Sequence, residues 1–250
     1  MSIGFFITAR LGSTRLKQKH LIEVNGLTFL EWLIKRIELE FTSELKNGKA
    51  KIFITTSEND ENKKFEDYSN DHVRVFYGSD DNIPLRHLQC AKANSIENII
   101  AIDGDDILCS PIAARLVLDE LLKQSQMAKT SGLPLGMNVM GYKTDFLESS
   151  LTQSKEKILE TGWGKIFDMQ FCKDILIPNH KDYEKLRMTL DYDKDSEFFE
   201  MVIKSIADRI VGIKDEDLLH IIISNKWNLI NEGLNDEYWI NFNRQQKKEN

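Results

Sequence analysis

The chain of 250 residues has few cysteines, no long apolar run and no excess of positive charge. Its three cysteines, Cys90, Cys109 and Cys172, are scattered, which argues against a disulfide framework or a zinc site and favours a reducing compartment. Without a run of about 18 apolar residues or a signal-peptide pattern, we expect no membrane span or export. The net charge of −7 argues against a general nucleic-acid-binding surface. We therefore expect a cytoplasmic protein without nucleic-acid or membrane partners.

Short strands alternate with helices in the first half of the chain. Strands are predicted at residues 3–8, 50–57, 72–79 and 97–106. Helices are predicted at residues 25–41, 86–95 and 111 to about 126. Thr28 with Glu31, and Ser110 before Pro111, provide the signals for helix starts. This alternation predicts an α/β fold, with a mostly parallel sheet and helices on both faces.

The second half alternates less regularly. A strand and then a helix are predicted over 136–151, an irregular polar segment over 151–185, and a strand, an acidic turn and a helix over 185–210. The tail has helical apolar spacing over 218–234 and a frayed end over 243–250. With no repeat, linker or clear boundary, we expect a single domain over residues 1–250.

A cationic loop, residues 9–19, follows the first predicted strand. Ligands of open α/β sheets bind beyond the carboxyl ends of the strands. Gly12 lets the backbone approach a ligand, and the N–H groups around Ser13 and Thr14 can cradle phosphate oxygens. Three cations can neutralise a triphosphate: Arg10, Arg15 and Lys19. The loop is not a P-loop, because the second glycine and the Gly-Lys-Ser/Thr ending are missing. A plain basic surface turn is the alternative interpretation.

Two acidic stretches follow other predicted strands. The first carries Asp103, Asp105 and Asp106, and the second carries Asp191, Asp193 and Asp195. Carboxylates beside a triphosphate loop indicate Mg²⁺, which commonly uses one or two carboxylates with substrate phosphates. The alternative is helix capping, which is the interpretation we favour for Asp195 and keep open for Asp106.

Five stretches, in order, resemble the cytidylyltransferases that make CMP-activated sugars. They are "ARLGSTRLKQKHL", "FITTSENDEN", "FYGSDDNIPLRHLQCA", "AIDGDD" and "LRMTLDYDKDSEFF", and together they span about residues 3–200. The resemblance is closest to the branch named after the spore-coat polysaccharide protein SpsF, and weaker to CMP-Kdo synthetase and acylneuraminate cytidylyltransferase. It implies a Rossmann-like fold of the nucleotide-diphospho-sugar transferase type, with a small acceptor or dimerisation subdomain at about 130–185.

The resemblance implies that an acceptor oxygen attacks the α-phosphorus of CTP, giving a CMP-linked product and pyrophosphate. The catalytic residues it implies are Arg10, Arg15, Lys19 and Asp105. The nucleotide-binding residues it implies are Thr8, Ala9, Gly12, Ser13, Thr14, Arg86 and Asp103. Asp105 and Asp191 would ligate Mg²⁺, which stabilises charge and orients the phosphates. The partners implied are CTP, a small anionic acceptor and a second copy of the chain, in bacterial surface-polysaccharide synthesis.

Several assignments have alternatives. Arg86 binds phosphate or an acceptor anion, or forms a salt bridge. Asp103 stands where the Kdo enzymes have Gln, so three roles stay open for it. It contacts the outer shell of the metal, the base of the nucleotide, or the acceptor. Asn138 and Trp163 are candidate acceptor contacts. The alternative for Asn138 is an amide that satisfies the polar groups of a turn, and the alternative for Trp163 is an aromatic packed into a core or a dimer interface. For His87 we expect a surface position, and the alternative is an approach to the site beside Arg86.

Three other functions are weighed against this one. A GT-A glycosyltransferase shares the Asp-x-Asp motif but generally lacks the Gly-Ser-Thr-Arg loop. A non-catalytic nucleotide-binding module would lose Asp105 or Asp191, and both are present. Cytidylyl transfer to a phosphate monoester, giving a CDP-linked product, would use the same nucleotide site. The sequence leaves that choice of acceptor open.

Overall fold

The structure, a computed structural model, describes residues 2–178, 181–183 and 185–249. Its strands are β1 (Ile3–Thr8), β2 (Glu23–Val24), β3 (Leu27–Thr28), β4 (Ala50–Ser57), β5 (Val73–Gly78), β6 (Asn98–Asp103), β7 (Met127–Ser131), β8 (Met140–Lys143) and β9 (Cys172–Leu176). Its α-helices are α1 (Phe29–Glu40), α2 (Thr42–Lys46), α3 (Ile83–Ala93), α4 (Pro111–Leu122), α5 (Thr144–Gln153), α6 (Asp193–Ile206), α7 (Asp215–Ser224) and α8 (Leu234–Glu249). Short 3₁₀ helices include Lys19–Leu21, Asp60–Tyr68 and Trp163–Ile166.

Seven of these strands form the central sheet, in the order β5-β4-β1-β6-β8-β7-β9. Six of them point the same way, and β8 runs antiparallel to both of its neighbours. Strands β2 and β3 form a separate small ribbon before α1. The predicted α/β fold with a mostly parallel sheet is confirmed.

Helices cover both faces of this sheet because the central strands are apolar on both sides. In β1, Phe5 and Ile7 pack into one hydrophobic cluster with α1 and α4. Phe6, between them, points to the opposite face and packs with residues of α3 and β8. A third cluster joins α6 and α7 to the start of α1. Each fully buried side chain of this size contributes about 1.5–3 kcal/mol of hydrophobic stabilisation.

The predicted helix starts are mostly confirmed by their caps. Thr28 and Glu31 form the expected capping box of α1, and Ser110 Oγ accepts from the Ala113 N–H at 2.9 Å at the start of α4. Helix α3 starts three residues before its prediction, because Asn82 caps it. The predicted frayed end is wrong for the described residues, since α8 continues to Glu249. No helix in the described ranges is long and apolar enough to cross a bilayer.

The structure corrects the strand predictions in the second half. Strands β7 and β9 were not predicted, and β9 lies inside the segment expected to be irregular. It is an edge strand whose side chains are exposed or half-buried, so no apolar run marks it. The strand predicted before α6 is absent from the described residues there. That stretch is extended, and a single bridge joins Arg187 to Leu135.

The segment at about 130–185 contributes to the main sheet. It supplies β8, β9 and the intervening α5, while residues 179, 180 and 184 lie outside the described residues. Its role in acceptor binding or dimerisation stays a prediction. The expected single domain over 1–250 also stays a prediction.

Candidate active site

The carboxyl ends of two adjacent strands bring the cationic loop and the first acidic stretch together. Because β1 and β6 are parallel neighbours, Thr8 stands in register with Asp103. Gly104 then donates its N–H to the Thr8 carbonyl oxygen at 2.8 Å. A Cβ at residue 104 would lie 2.8 Å from that oxygen, so this approach requires glycine. The loop and the acids thus meet at the edge of the sheet where ligands of this fold class bind.

Lys19 joins the loop to both acidic stretches. Its side chain is buried, and its Nζ lies 2.6 Å from Asp105 Oδ2 and 3.3 Å from Asp191 Oδ1. It also donates to the Leu190 carbonyl oxygen at 2.8 Å. Burial alone would lower the pKa of Lys19, but the two carboxylates raise it above its ordinary value. The ammonium is therefore held charged between Asp105 and Asp191.

Asp191 has two further cationic partners. Arg15 Nη2 donates to its Oδ1 at 2.7 Å, and Arg187 Nη2 donates to its Oδ2 at 3.0 Å. Burial opposes the negative charge, but the three cations hold the pKa of Asp191 below its ordinary value. The Arg15 side chain is 41% exposed, whereas Arg187 and Lys19 are buried. Arg15 is thus the partner of Asp191 that can turn toward a bound phosphate at least cost in buried contacts.

Asp195 anchors the second acidic stretch from within. It is fully buried and accepts from the backbone N–H groups of Asp191 at 2.9 Å and Tyr192 at 3.0 Å. Arg187 binds it through two nitrogens. The interpretation of Asp195 as a helix cap is confirmed, and the ion pair with Arg187 adds a second structural contact.

Asp103 opens to solvent at the edge of the site, while protein atoms enclose it on its other sides. This enclosure raises the pKa of Asp103 to about 6, and the charges of Asp105 and Asp191 add to the effect. The charge of Lys19 acts in the opposite direction. Asp103 therefore belongs to the carboxylate cluster at the carboxyl end of β6.

The carboxylates supply the oxygen donors that Mg²⁺ prefers. Asp105 keeps 31% of its side chain exposed, and it shares one ammonium with Asp191. In the described part of the chain, no group of three or more His, Cys, Asp or Glu side chains is arranged to hold an ion alone. Since Mg²⁺ commonly completes its shell with substrate phosphates and water, one or two carboxylates here suit a metal that arrives with a nucleotide.

The rest of the cationic loop is braced against the 3₁₀ helix that follows β4. Asn62 is buried, and its Oδ1 accepts from the Leu11 N–H at 2.9 Å. Gly12 is exposed and lies beside Glu61, whose Oε1 would be 2.7 Å from a Cβ at residue 12. Ser13 Oγ accepts weakly from the Leu16 N–H at 3.4 Å.

The remaining predicted loop residues sit at the start and on the outside of this loop. Ala9 is buried and its N–H donates to the Thr55 carbonyl oxygen at 3.2 Å. Thr14 is exposed. Arg10 is exposed and pairs with Glu160, which lies on the segment before Trp163. The contacts that these residues make with a nucleotide stay predictions.

Arg86 braces the turn that follows β5. Its Nε donates to the Ser79 carbonyl oxygen at 2.7 Å, and its Nη2 donates to the Asp80 carbonyl oxygen at 2.8 Å. Its side chain is buried, and burial lowers its pKa. The guanidinium of Arg86 is therefore hydrogen-bonded to main-chain carbonyl groups. The salt-bridge alternative does not describe these contacts, and a contact with phosphate stays a prediction.

The expected surface position of His87 is wrong. His87 is fully buried, with Nε2 2.9 Å from Thr8 Oγ1 and Nδ1 2.6 Å from the Tyr142 hydroxyl. Burial, aided by the charge of Arg86, lowers the pKa of His87 to about 3, so the ring is neutral. The signal was available: Cys90 and Ala91 follow at helical spacing on the same buried face.

Asn138, a candidate acceptor contact, closes a turn, and a contact with the acceptor stays a prediction. Its Nδ2 donates to the Leu133 carbonyl oxygen at 2.8 Å, as the alternative interpretation expected. Three other side chains at the site were not predicted as site residues: Asn62, Glu160 and Tyr238, whose ring centroid lies 4.8 Å from Cζ of Arg187. Asn62 ends the stretch FITTSENDEN, in which no residue was given a role, whereas Glu160 and Tyr238 lie outside the five stretches. Only the fold brings the three together at the site.

Comparison with known proteins identifies the family. Residues 5–201, well over half of the chain, match the cytidylyltransferase family. The chain belongs to this family. The matched region contains the cationic loop and both acidic stretches that Lys19 joins. The chain is therefore a nucleotidyltransferase, as the resemblance implied, and its assignment to the SpsF branch stays a prediction.

Individual proteins resemble this chain in sequence or in fold. The uncharacterized protein MJ1063 of Methanocaldococcus jannaschii is 28% identical over 209 residues, which is 80% of this chain and 82% of that protein. A cytidylyltransferase from Leptospira borgpetersenii has a similar fold, with a TM-score of 0.77, 22% identity, and coverage of 92% of this chain and 98% of that one. CMP:2-keto-3-deoxy-manno-octonic acid synthetase, solved with CTP, gives a TM-score of 0.60, 11% identity, and coverage of 82% and 99%.

Proposed function

We propose that this cytidylyltransferase uses Mg²⁺ to transfer CMP from CTP to a small acidic sugar or a similar anionic acceptor, with release of pyrophosphate. The observation that carries the proposal is the position of Lys19. This residue ends the cationic loop, and it also lies within 3.3 Å of carboxylate oxygens from both acidic stretches. One ammonium thus links the elements that would hold the phosphates to those that would hold the metal.

The chain's own groups account for binding and charge neutralisation. Arg10 and Arg15, which are exposed, can exchange their carboxylate partners for phosphate oxygens. Lys19 can then neutralise the pyrophosphate that leaves, since it is held charged in a buried position. Asp105 and Asp191 would hold Mg²⁺, which supplies charge stabilisation and orientation of the phosphates when bound. Placement and electrostatics carry most of the catalysis in such transfers.

An acidic sugar is proposed as the acceptor because of two supports. The motifs resemble enzymes that make CMP-activated sugars, and one structure with the same fold is that of CMP:2-keto-3-deoxy-manno-octonic acid synthetase. The proposed place in bacterial surface-polysaccharide synthesis has only the first of these supports.

A homodimer is the proposed assembly. Phe171 precedes the outer edge strand β9 and Leu176 is its last residue, and they are 52% and 69% exposed. An open edge with exposed apolar side chains is suited to pairing with another chain. Light scattering after size exclusion would give a mass near twice 29.0 kDa if the proposal holds, and a monomer mass would contradict it.

The test of the reaction is pyrophosphate release with Mg²⁺. CTP, UTP, ATP and GTP would each be paired with 3-deoxy-2-keto acid sugars, including 2-keto-3-deoxy-manno-octonic acid, and with phosphate monoesters, including glycerol 3-phosphate. Asp105→Ala should lower the rate by about 10²–10³-fold, the loss typical for a group that stabilises transition-state charge. Asp193→Ala is the matched control, because Asp193 is exposed on the first turn of α6.

Release with CTP and one keto-acid sugar would support the proposal and identify the substrate. Release with a phosphate monoester would keep the cytidylyl transfer and replace the acceptor class. Metal binding has its own readout: Mn²⁺ in place of Mg²⁺ can be titrated by electron paramagnetic resonance with CTP present. Equal Mn²⁺ affinity in wild type and Asp105→Ala would remove Asp105 from the proposed metal site.

A further inference from the structure

A hydrogen-bond network of three side chains, Tyr142, His87 and Thr8, runs from the core to the end of strand β1. The Tyr142 hydroxyl lies 2.6 Å from Nδ1 of His87, and Nε2 of the same ring lies 2.9 Å from Thr8 Oγ1. Tyr142 belongs to β8 and His87 to α3, and both are fully buried. Thr8 is half-buried and is the last residue of β1. The network therefore joins a closed part of the molecule to an accessible side chain at the candidate site.

Aromatic neighbours hold the imidazole of His87 in place. Its centroid lies 5.3 Å from that of Phe6 and 5.6 Å from that of Trp163, and both rings meet it edge-on. Trp163 is itself buried, as the alternative of a packed aromatic expected, and a contact of Trp163 with the acceptor stays a prediction. The Tyr142 ring stacks on the imidazole, with 6.4 Å between centroids. In a closely packed core the ring has no room to turn over, so one nitrogen faces Tyr142 and the other faces Thr8.

The hydrogen bonds of this network can run in either of two directions. His87 is neutral at pH 7, because burial lowers its pKa to about 3. A neutral imidazole has one N–H donor and one bare nitrogen that accepts. If Nε2 carries the proton, Tyr142 donates to Nδ1 and His87 donates to Thr8. If Nδ1 carries the proton, Thr8 donates to Nε2 and His87 donates to Tyr142.

The burial of Tyr142 favours the first direction. Within the described ranges, the Tyr142 hydroxyl has no hydrogen-bond partner other than His87. In the second direction its O–H hydrogen would lack an acceptor inside the core, which is costly. In the first direction the hydrogen without a protein acceptor belongs to Thr8, and the half-buried position of Thr8 lets that hydrogen point into the site. The buried pair thus leaves the Thr8 hydroxyl as a donor.

The backbone around Thr8 is fixed as well. The Thr8 carbonyl oxygen accepts from the Gly104 N–H at 2.8 Å, and the N–H of the next residue, Ala9, donates to the Thr55 carbonyl oxygen at 3.2 Å. The cationic loop starts at Ala9, so a nucleotide held by that loop lies next to Thr8. The phosphate, ribose and base oxygens of a nucleotide all accept hydrogen bonds. The donor at Thr8 therefore meets a ligand rich in acceptors.

We propose that His87 and Tyr142 are positioning residues, which orient the Thr8 hydroxyl so that it donates a hydrogen bond to the bound nucleotide. The N–H of His87 occupies an acceptor site of the Thr8 oxygen and turns the hydrogen of Thr8 toward the ligand. A donor that is oriented before binding loses little freedom when the ligand arrives, so this contact raises affinity. The inference rests on the proposed function, because it needs CTP as the ligand.

The direction of the network has a spectroscopic readout. Nitrogen-15 NMR of protein labelled at its histidine rings distinguishes a protonated ring nitrogen from a bare one, and His87→Gln identifies the signals of His87. We expect Nε2 to carry the proton at pH 7, with and without Mg·CTP. A proton on Nδ1 would overturn the inference, because Thr8 would then donate to His87.

Nucleotide affinity tests the role of Thr8. Calorimetry with Mg·CTP compares wild type with Thr8→Val, which keeps the shape and removes the hydroxyl, and with Thr8→Ser, which keeps the hydroxyl. We expect the Kd to rise about three- to tenfold in Thr8→Val, the effect of one lost hydrogen bond, and to stay within about twofold in Thr8→Ser. An unchanged Kd in Thr8→Val would show that the hydroxyl does not serve the nucleotide.

Tyr142→Phe separates positioning from a merely structural role. Without the tyrosine hydroxyl, Thr8 can turn its hydrogen to Nε2 of His87, so the Kd for Mg·CTP should rise about three- to fivefold. In the Thr8→Val background the same change should alter the Kd by less than about 1.5-fold, because the group it acts through is gone. Equal losses in both backgrounds would mean that Tyr142 acts only through core packing. The control is Tyr68→Phe, which removes a hydroxyl bonded to another threonine, Thr28, at 3.2 Å and should leave the Kd unchanged.

The two proposals can fail separately. If wild type binds Mg·CTP but the tautomer of His87 or the affinity of Thr8→Val differs from expectation, the inference is overturned and the proposed function stands. If wild type binds no Mg·CTP, the proposed function itself is wrong, and the inference falls with it.

Discussion

Arg187 and Asp195 form a two-point ion pair that is closed to solvent. Arg187 Nε lies 2.9 Å from Oδ1 of Asp195 and Nη2 lies 3.0 Å from Oδ2, and both residues are buried. The same Nη2 reaches Asp191 at 3.0 Å. The carboxylate proposed as a metal ligand is thus positioned by a pair that does not itself face the ligand.

Asp195→Asn should destabilise the protein, because the buried Arg187 guanidinium loses its two-point carboxylate partner and keeps only its contact with Asp191 among the ion pairs described. Breaking one side of a buried ion pair costs about 3–5 kcal/mol. Urea unfolding would show the loss as a lower midpoint with an unchanged slope. Asp193→Asn, an exposed change two residues away, is the control. Equal midpoints for the two variants would contradict the anchoring role of Asp195.

Lys19→Met should abolish turnover more than it destabilises the fold. Methionine fills similar volume, but it removes the charge between Asp105 and Asp191. We expect a rate loss of about 10²–10³-fold. The loss of stability should be about 1–3 kcal/mol, because Arg15 and Arg187 still pair with Asp191.

The control for Lys19 is Lys17→Met, an exposed cation of the same loop. Initial rates of pyrophosphate release and urea midpoints, measured on both variants, separate the two effects. A Lys19→Met enzyme that keeps a tenth or more of the wild-type rate would show that the ammonium does not stabilise the leaving pyrophosphate.

The sequence predicted the parts of this fold that local patterns specify. Strands β1 and β4 are apolar runs with turn residues after them, and α1 has a capping box, so all three were found near their true bounds. Strand β9 was missed because an edge strand needs no apolar run. The extended stretch before α6 was taken for a strand, since alternation alone does not show whether a partner strand exists.

The site was predictable to a similar degree. The cationic loop and the acids at strand ends follow from sheet topology, which places carboxyl ends together. The partners of individual cations were not predictable, because they depend on turn geometry. Lys19 pairs with Asp105, and Arg86 binds main-chain carbonyl groups. Tyr238 was missed because no local pattern tells which face of a polar terminal helix meets the site.

Acid should destabilise the folded state between about pH 6.5 and 4. Burial lowers the pKa of His20 to about 4 and of His87 to about 3, whereas unfolded histidine titrates near 6.5. In that window the unfolded chain binds protons that the folded chain does not. Each group therefore removes about 1.4 kcal/mol of stability for each pH unit of acidification.

Urea unfolding at pH 7.5, 6.5, 5.5 and 4.5 would measure this slope. His87→Gln should reduce it by about one histidine's contribution, and it can still bond with Thr8 or Tyr142. His220→Gln, at an exposed position of α7, is the control. A wild-type slope in His87→Gln would mean that His87 gains its proton without unfolding. At lower pH, the lowered pKa of Asp191 adds a further loss, as acid titrates through it.

Asn62→Ala should weaken CTP binding without touching any residue proposed to contact CTP. Asn62 is buried, accepts from the Leu11 N–H at 2.9 Å and donates to the Ser57 carbonyl oxygen at 3.1 Å, so it ties the cationic loop to the end of β4. Alanine leaves that N–H without its partner, at a cost of about 1–3 kcal/mol. We expect a lower unfolding midpoint and a Kd for Mg·CTP raised about tenfold by calorimetry, because the loop must then be ordered at the expense of binding energy.

Asn47→Ala is the control, since Asn47 also accepts from a backbone N–H, at 3.0 Å, but at an exposed turn before β4. Equal CTP affinity in wild type and Asn62→Ala would show that the loop holds its shape through its own contacts, with Lys19 as its main anchor.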